Sequence, residues 1–383
     1  MPFGAAILPD GRVGFRLWAP AAKGVELVLE PLSGPAQVLP LETRAGGWTE
    51  LVTDQARAGS RYRFSLDAEP TVPDPASRRN PQGVHGPSEV VDPGAFEWTD
   101  DEWRAPPWRN SVVYELHVGT FTPEGTFAGV AGRLEHLQRL GVTAIELMPI
   151  AEFPGARGWG YDGVLPYAPA SAYGSPEDLK SLVCAAHAHG IAVMLDVVYN
   201  HFGPEGNFLH LYAPQFFTDR HSTPWGAAMD FEAPGSRAVR DFFIHNALYW
   251  LEEYHLDGLR LDAVHAIFDS GAPHILTEIA RAARHGPGRE RPVYLVLENL
   301  NNEARRLGPA GAPDVFDAQW NDDSHHCLHV LLTGESGSYY GDYQERPHGL
   351  LCRSLAEGFA YQGESSRHLG RPRGERSAHL PPS

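Results

Sequence analysis

The residues best suited to do chemistry lie in the octapeptide Gly258-Leu259-Arg260-Leu261-Asp262-Ala263-Val264-His265. Strand side chains alternate between faces, so Arg260 and Asp262 project to one side while Leu259 and Leu261 pack on the other. A guanidinium beside a carboxylate keeps that carboxylate ionised. An ionised, oriented carboxylate is what a covalent glycoside-cleaving mechanism needs as its nucleophile. The octapeptide alone fits a structural ion pair at a strand end equally well. A second carboxylate, Glu298, closes the apolar stretch Tyr294-Leu295-Val296-Leu297. A carboxyl group emerging from an apolar strand tends to have a raised pKa, which suits a general acid. Together the two make the carboxylate set of a glycosidase, although Glu298 taken alone reads as a strand-end cap. Asp196 and His201 share the segment Asp196-Val197-Val198-Tyr199-Asn200-His201. Asp196 could orient Arg260 or bind sugar hydroxyls. His201 could donate a hydrogen bond to the sugar being cleaved, or be an ordinary loop histidine.

These residues need elements to position them. From Val112 onward, strands and helices alternate. Strands are expected at Val112–Val118, Thr143–Leu147 and Ile191–Asp196, from Gly258 onward, and at Pro292–Leu297 and Val315–Trp320. Helical apolar spacing marks Phe127–Leu140, Ser236–Tyr254, Leu276–Ala283 and a stretch around Leu350–Phe359. Ser175-Pro176-Glu177-Asp178 opens another helix, with Ser175 as N-cap and Pro176 at the first position. Such alternation implies a parallel sheet covered by helices. A doubly wound sheet and a closed barrel both satisfy that statement. Polar residues crowd several different strand C-termini, as a barrel requires, and no glycine-rich phosphate loop follows the first strand. The expected fold is therefore α/β, a (β/α)8-type TIM barrel with about six strands present, over residues 96–383. Before it, residues 1–95 hold short alternating segments separated by turn residues. They read as a small β-sandwich, immunoglobulin-like and similar to a carbohydrate-binding module.

Composition narrows the function. A net charge of −17 argues against nucleic acid and against anionic membranes, but not against a neutral sugar. No apolar run approaches a membrane span, and Met1-Pro2-Phe3-Gly4 does not begin like a signal peptide. Cys184, Cys327 and Cys352 are odd in number and widely spaced, which fits a reducing cytoplasm. The 9 Trp, 14 Tyr and 17 Phe supply flat apolar faces on which sugars can stack. Among the 19 histidines, His117, His201, His265, His325 and His326 fall near strand ends. They match no metal motif, and adjacent His325 and His326 are poorly placed to face one ion. No metal and no cofactor are expected, and nothing in the sequence specifies an oligomeric state.

Four segments in order carry a resemblance: Gly158-Trp159-Gly160-Tyr161-Asp162, Asp196 to His201, Gly258 to His265, and Leu297-Glu298-Asn299. The chain resembles the α-amylase superfamily of (β/α)8-barrel glycosidases. That resemblance implies Asp262 as nucleophile, Glu298 as general acid/base and Arg260 as the nucleophile's partner. It implies His201 as a ligand of the sugar at the cleavage point and Tyr161 stacking on that sugar. His117, Asp196, His265, Asp322 and Asp323 fall among the implied substrate-binding residues. Within the superfamily the chain is similar to the maltooligosyltrehalose trehalohydrolase family. Tyr114 to Phe121, Leu261 to Ile267, Asn302 to Arg305 and Gln319 to Asp323 carry that likeness. It implies retaining hydrolysis of the α-1,4 bond next to the terminal trehalose of maltooligosyl trehalose, or of a related α-glucan, with release of trehalose. Glycogen branching enzyme has a similar layout and is the alternative reading. A non-catalytic α-glucan-binding protein is the alternative of another class. Ser324, where an aromatic is expected, and Leu300-Asn301, where acidic residues are expected, depart from the family pattern.

The superfamily also has a third catalytic carboxylate, in an Asn-His-Asp segment after the seventh strand. No such segment occurs in the sequence. Gly363 to Ser383 resembles the approach to that strand, so the sequence reads as cut short before it. A barrel of about eight strands reduced to six leaves two unpaired edges. The 383-residue polypeptide on its own is accordingly expected to release little or no trehalose from maltooligosyl trehalose, and robust release by the purified chain would contradict this reading.

Overall fold

Six apolar stretches form one parallel sheet in the computed structural model, which describes residues 1–378 and Leu380. They are β1 (Val113–Leu116), β2 (Ala144–Leu147), β3 (Ala192–Val197), β4 (Gly258–Leu261), β5 (Tyr294–Glu298) and β6 (Ala318–Trp320). In the sheet they follow one another in chain order. A doubly wound sheet reverses its strand order part-way, so the unbroken order is that of a barrel. The sheet is also strongly curved. Trp320 on β6 donates from Nε1 to Glu146 Oε1 on β2 at 3.1 Å. On a flat sheet those strands would stand about 19 Å apart, at about 4.8 Å per strand, beyond the reach of both side chains. The fold is thus an incomplete TIM barrel with β1 and β6 at its edges.

The concave face fills in layers. Ala144, Ala192, Met194, Tyr294 and Val296 form a small apolar cluster, and Trp103 and Trp108 from the segment before β1 pack against it. The polar residues of the strands lie one layer further along, towards the C-terminal ends. The convex face carries Leu195, Leu259, Leu261, Leu295 and Leu297, all buried. It is covered by helices α1 (Pro176–Ala188), α2 (Arg237–Glu253) and α3 (Ile275–His285). Helix α1 starts as expected, with a complete capping box between Ser175 and Asp178 and with Pro176 in its first turn.

Two antiparallel sheets precede the barrel. One orders its strands Gly4–Ile7, Val13–Trp18, Trp48–Thr53, Glu42–Thr43; the other orders Gln37–Pro40, Val25–Glu30, Arg61–Leu66, Thr71–Val72. Phe15, Leu17, Leu27, Leu29 and Phe64 fill the space between them. The sandwich and the barrel share one core. Phe3 meets Phe242 edge-on at 5.2 Å, Trp18 meets Phe216 at 5.7 Å, and the Arg78 guanidinium lies over the rings of Tyr167 and Tyr249. No helix among the described residues is long and apolar enough to cross a membrane.

Several elements differ from the sequence reading. The helix expected over Phe127–Leu140 is two, Phe127–Ala131 and Leu134–Leu140. The break falls at Gly132, a poor helix former. The sixth strand is shorter than Val315–Trp320, because Asp317 turns its carboxylate back onto the Leu295 amide at 2.8 Å and Arg284 at 2.7 Å. Among the elements not anticipated, two bear on the site. A hairpin pairs Phe217–Thr223 with Gly226–Met229. Helix α4 (Asp322–Thr333) follows β6 directly, capped by Asn321, whose side chain accepts from the Ser324 amide. A further helix, α5 (Pro347–Glu357), lies where one was expected.

At the opposite end of the strands, a buried polar latch ties the inter-domain segment to the barrel. His187 meets Asp100 through Nδ1 at 2.7 Å and Asp257 through Nε2 at 2.9 Å. Asp257 also accepts from the Val193 amide and from Trp103 Nε1, each at 2.8 Å. Removing one partner of a buried ionic network typically costs about 3–5 kcal/mol. Asp257→Ala should lower the unfolding free energy by that order in denaturant titrations, and a loss below about 1 kcal/mol would contradict the latch.

Candidate active site

The centre of the site is Arg260, whose position follows from register. Asp196 on β3 pairs with Arg260 on β4, so both point into the concave face at the same height. Asp262, two residues on, points the same way. Arg260 Nη1 lies 2.7 Å from Asp196 Oδ2 and 2.8 Å from Asp262 Oδ1, and Nη2 lies 3.1 Å from Glu298 Oε2. One nearly buried guanidinium therefore holds three carboxylates. Burial opposes its charge, but Asp196, Glu298 and Asp262 more than offset that, and the pKa of Arg260 is raised.

Each carboxylate is oriented further. Asn200 Nδ2 donates to Asp262 Oδ2 at 3.0 Å and to its backbone carbonyl at 2.9 Å. The chain turns sharply after Asp262, with Ala263 in the left-handed region at φ 41°. That turn aims the Ala263 amide at Glu298 Oε2, 2.9 Å away. Asp196 accepts from the Tyr161 hydroxyl at 2.9 Å. Burial, opposed by Arg260 and reinforced by Asp262, pushes the Asp196 carboxyl up to about 7. Asp262 and Glu298 are the more open pair, with side chains 11% and 26% exposed against 0% for Asp196. A ligand in the cleft therefore meets those two first. Arg260 contacts both Asp262 and Glu298, so the two carboxylates border the same part of the cleft.

The other sequence-predicted residues divide into those that join this centre and those that support it. Tyr161 joins it through Asp196. His201 joins it indirectly: Nδ1 meets Asn200 Oδ1, and Nε2 lies 3.0 Å from the Tyr161 carbonyl. Burial lowers its pKa, favouring the neutral ring. His117 is half-buried and uses both nitrogens on protein. It meets the Gly158 carbonyl at 2.8 Å, the Tyr173 hydroxyl at 3.1 Å and Thr120 at 3.1 Å. It tethers the loop that carries Tyr161. His265 accepts the Leu300 amide at 3.3 Å, joining the segments after β4 and β5. Asp322 opens α4 at the edge of the cleft; burial, with Glu298 as the next contributor, pushes its carboxyl up to about 6.

Asp323 requires a correction. It is fully buried, and its oxygens are taken by the Tyr343 hydroxyl, Asn302 Nδ2, the amides of Ala360 and Tyr361, and Arg373 at 2.9 Å. With both oxygens occupied it cannot serve a sugar, and it instead anchors α4 to the segments behind it.

Three residues of the site escape the sequence reading or gain a role beyond it. Asn200 is legible as a polar strand-end residue, but only the structure links it to both His201 and Asp262. Trp225, 47% exposed on the unanticipated hairpin, stacks on His201 with ring centroids 5.2 Å apart. Glu146 lies buried on the concave face beneath Asp196 and Arg260. Its signal was a lone charge inside the apolar segment Thr143-Ala144-Ile145-Glu146-Leu147.

Burial, with Asp196 as the next contributor, pushes the Glu146 carboxyl from 4.5 up to about 8. The folded state thus binds more protons than the unfolded chain between those values, so this group makes stability fall as pH rises through them. Glu146→Gln removes that contribution. Unfolding free energy should decline less between about pH 5 and about pH 9 in the variant than in the parent, and equal declines would contradict the assignment.

The chain matches "Alpha amylase, catalytic domain" over residues 81–222 and "Carbohydrate-binding module 48 (Isoamylase N-terminal domain)" over residues 2–80. It is 43% identical to the malto-oligosyltrehalose trehalohydrolase of Saccharolobus solfataricus, over 98% of this chain and 64% of that protein. It is 45% identical to the one of Deinococcus radiodurans, over 94% of this chain and 57% of that protein. Among solved structures, a Salmonella typhimurium protein assigned as an alpha amylase superposes with a TM-score of 0.92 at 47% identity, covering 98% of this chain and 63% of that one. The chain spans 57–64% of the length of the curated trehalohydrolases it matches.

Proposed function

We propose that the chain belongs to the α-amylase superfamily and acts as one of the malto-oligosyltrehalose trehalohydrolases it is similar to. In this reading it is a retaining glycosidase that cleaves the α-1,4 bond next to the terminal trehalose of maltooligosyl trehalose and releases trehalose. The observation that carries it is the Arg260 fork, which holds Asp262 and Glu298 side by side in the more open part of the site. The division into a sandwich over residues 1–95 and a catalytic barrel over 96–383 is part of the proposal. So is a cytoplasmic setting, supported by three cysteines that are all free.

Asp262 is the nucleophile. Its oxygen attacks the anomeric carbon while Glu298 gives its proton to the glycosidic oxygen, and trehalose leaves carrying that proton. A glycosyl ester on Asp262 remains. Glu298, now a carboxylate, takes a proton from water, whose oxygen attacks the same carbon and frees Asp262 with overall retention. Arg260 offsets the charge of Asp262 before attack, and Asn200 fixes the rotation of its carboxylate. Tyr161 and Trp225 wall the sugar being cleaved, and His201, whose two nitrogens meet Asn200 and the Tyr161 carbonyl in the free protein, turns Nε2 to that sugar only by giving up the carbonyl. Asp196, Asp322, His265 and His117 hold or line the substrate site. The family resemblance calls for a third carboxylate as well, so the activity is assigned to a protein of the relatives' full length.

In such a protein Asp262→Asn should lower kcat by at least about 10³-fold with the fold retained. Unchanged turnover would remove Asp262 from the mechanism. The parent should cleave maltooligosyl trehalose faster than plain maltooligosaccharides of equal length. Faster cleavage of the plain chains, or formation of α-1,6 links, would overturn the assignment.

A further inference from the structure

Helix α4 carries a second constellation beside the one already described. Asp322, His325 and His326 stand at positions i, i+3 and i+4, which share one helix face. One carboxylate oxygen and one nitrogen from each imidazole all lie within 4.8 Å of one another. Adjacency was the sequence argument against His325 and His326 sharing an ion, and neighbours on a helix do diverge by about 100°. The rings nevertheless converge, with centroids 5.2 Å apart. His326 is 7% exposed, and its Nδ1 is buried with no hydrogen-bond partner among the described residues. Its ring is clamped against Tyr339 at 4.6 Å and edge-on to Tyr343 at 5.4 Å. The clamp limits how far that nitrogen can turn towards solvent. His326 therefore keeps its ring nitrogens out of any hydrogen bond within the described residues and contributes one of them to the cluster.

We propose that Asp322, His325 and His326 form a three-ligand site for a divalent transition cation of the zinc class. Ligand bonds of about 2.0–2.2 Å bring three donors closer than they stand here, and exposed His325 is free to move in. Two imidazoles and one carboxylate select borderline cations over calcium or magnesium, which take oxygen ligands. The positive N-terminal end of the helix dipole opposes a cation there, while the ionised Asp322 favours it, so the affinity belongs to an exchangeable ion. The site goes beyond the proposed hydrolysis and does not depend on it.

Titrating the 383-residue chain with Co2+ should give a saturable visible absorption band at about one equivalent, which Zn2+ displaces. His325→Ala, at an exposed position, and the isosteric Asp322→Asn should each weaken Co2+ binding by at least about tenfold, with the circular dichroism spectrum unchanged. The absence of a saturable band up to millimolar Co2+, or equal affinity in both variants, would overturn the proposal.

Discussion

The structure of the cleft depends on one buried positive charge. Arg260 sits where three strands deliver a carboxylate each, and its guanidinium contacts all three. An unpaired guanidinium at that depth would be strongly disfavoured, and so would three converging carboxylates without it. The arrangement is high in stakes and uneven by construction. Asp196, wholly buried, is held by Arg260 and Tyr161 and serves the frame. Asp262 and Glu298 keep one side towards the cleft and are available to a ligand.

The surroundings of this fork serve to hold its strands in register. The latch of His187 between Asp100 and Asp257 fixes the start of β4 to β3 and to the segment leaving the sandwich. Trp103 and Trp108 close the lower layer of the concave face. The strut from Trp320 to Glu146 crosses above that layer and sets the curvature. The sandwich shares its aromatic core with α2 through Phe3 and Phe242, so it buttresses the helix that covers β3 and β4.

Much of this was legible in the sequence because it depends on local pattern. The period-two spacing of Arg260 and Asp262 put them on one face, and the apolar runs located all six strands. Ser175-Pro176 located a helix start. The parts that were not legible depend on contacts between distant residues or on competing local signals. Asp322 and Asp323 look alike in sequence, but helix geometry turns one to the cleft and the other to Arg373 and Tyr343. Asn321 followed by two acidic residues is a helix start, and reading that stretch only for chemistry hides it. The hairpin bearing Trp225 has a turn signal in Thr223-Pro224-Trp225-Gly226, but its flanking strands lack the apolar alternation that would have revealed it. Glu146 could be flagged as an isolated charge, but its link to Trp320 spans four strands and exists only once the sheet curves.

The account turns on Asp262 being the carboxylate that attacks carbon. A fluorinated α-glycosyl fluoride slows hydrolysis of the glycosyl ester, so the intermediate can be collected and its attachment point mapped by peptide mass spectrometry. In a protein of the relatives' full length, the account predicts a single glycosyl label on the peptide containing Asp262. A label on another carboxylate, or none in an enzyme that turns over its natural substrate, would contradict it.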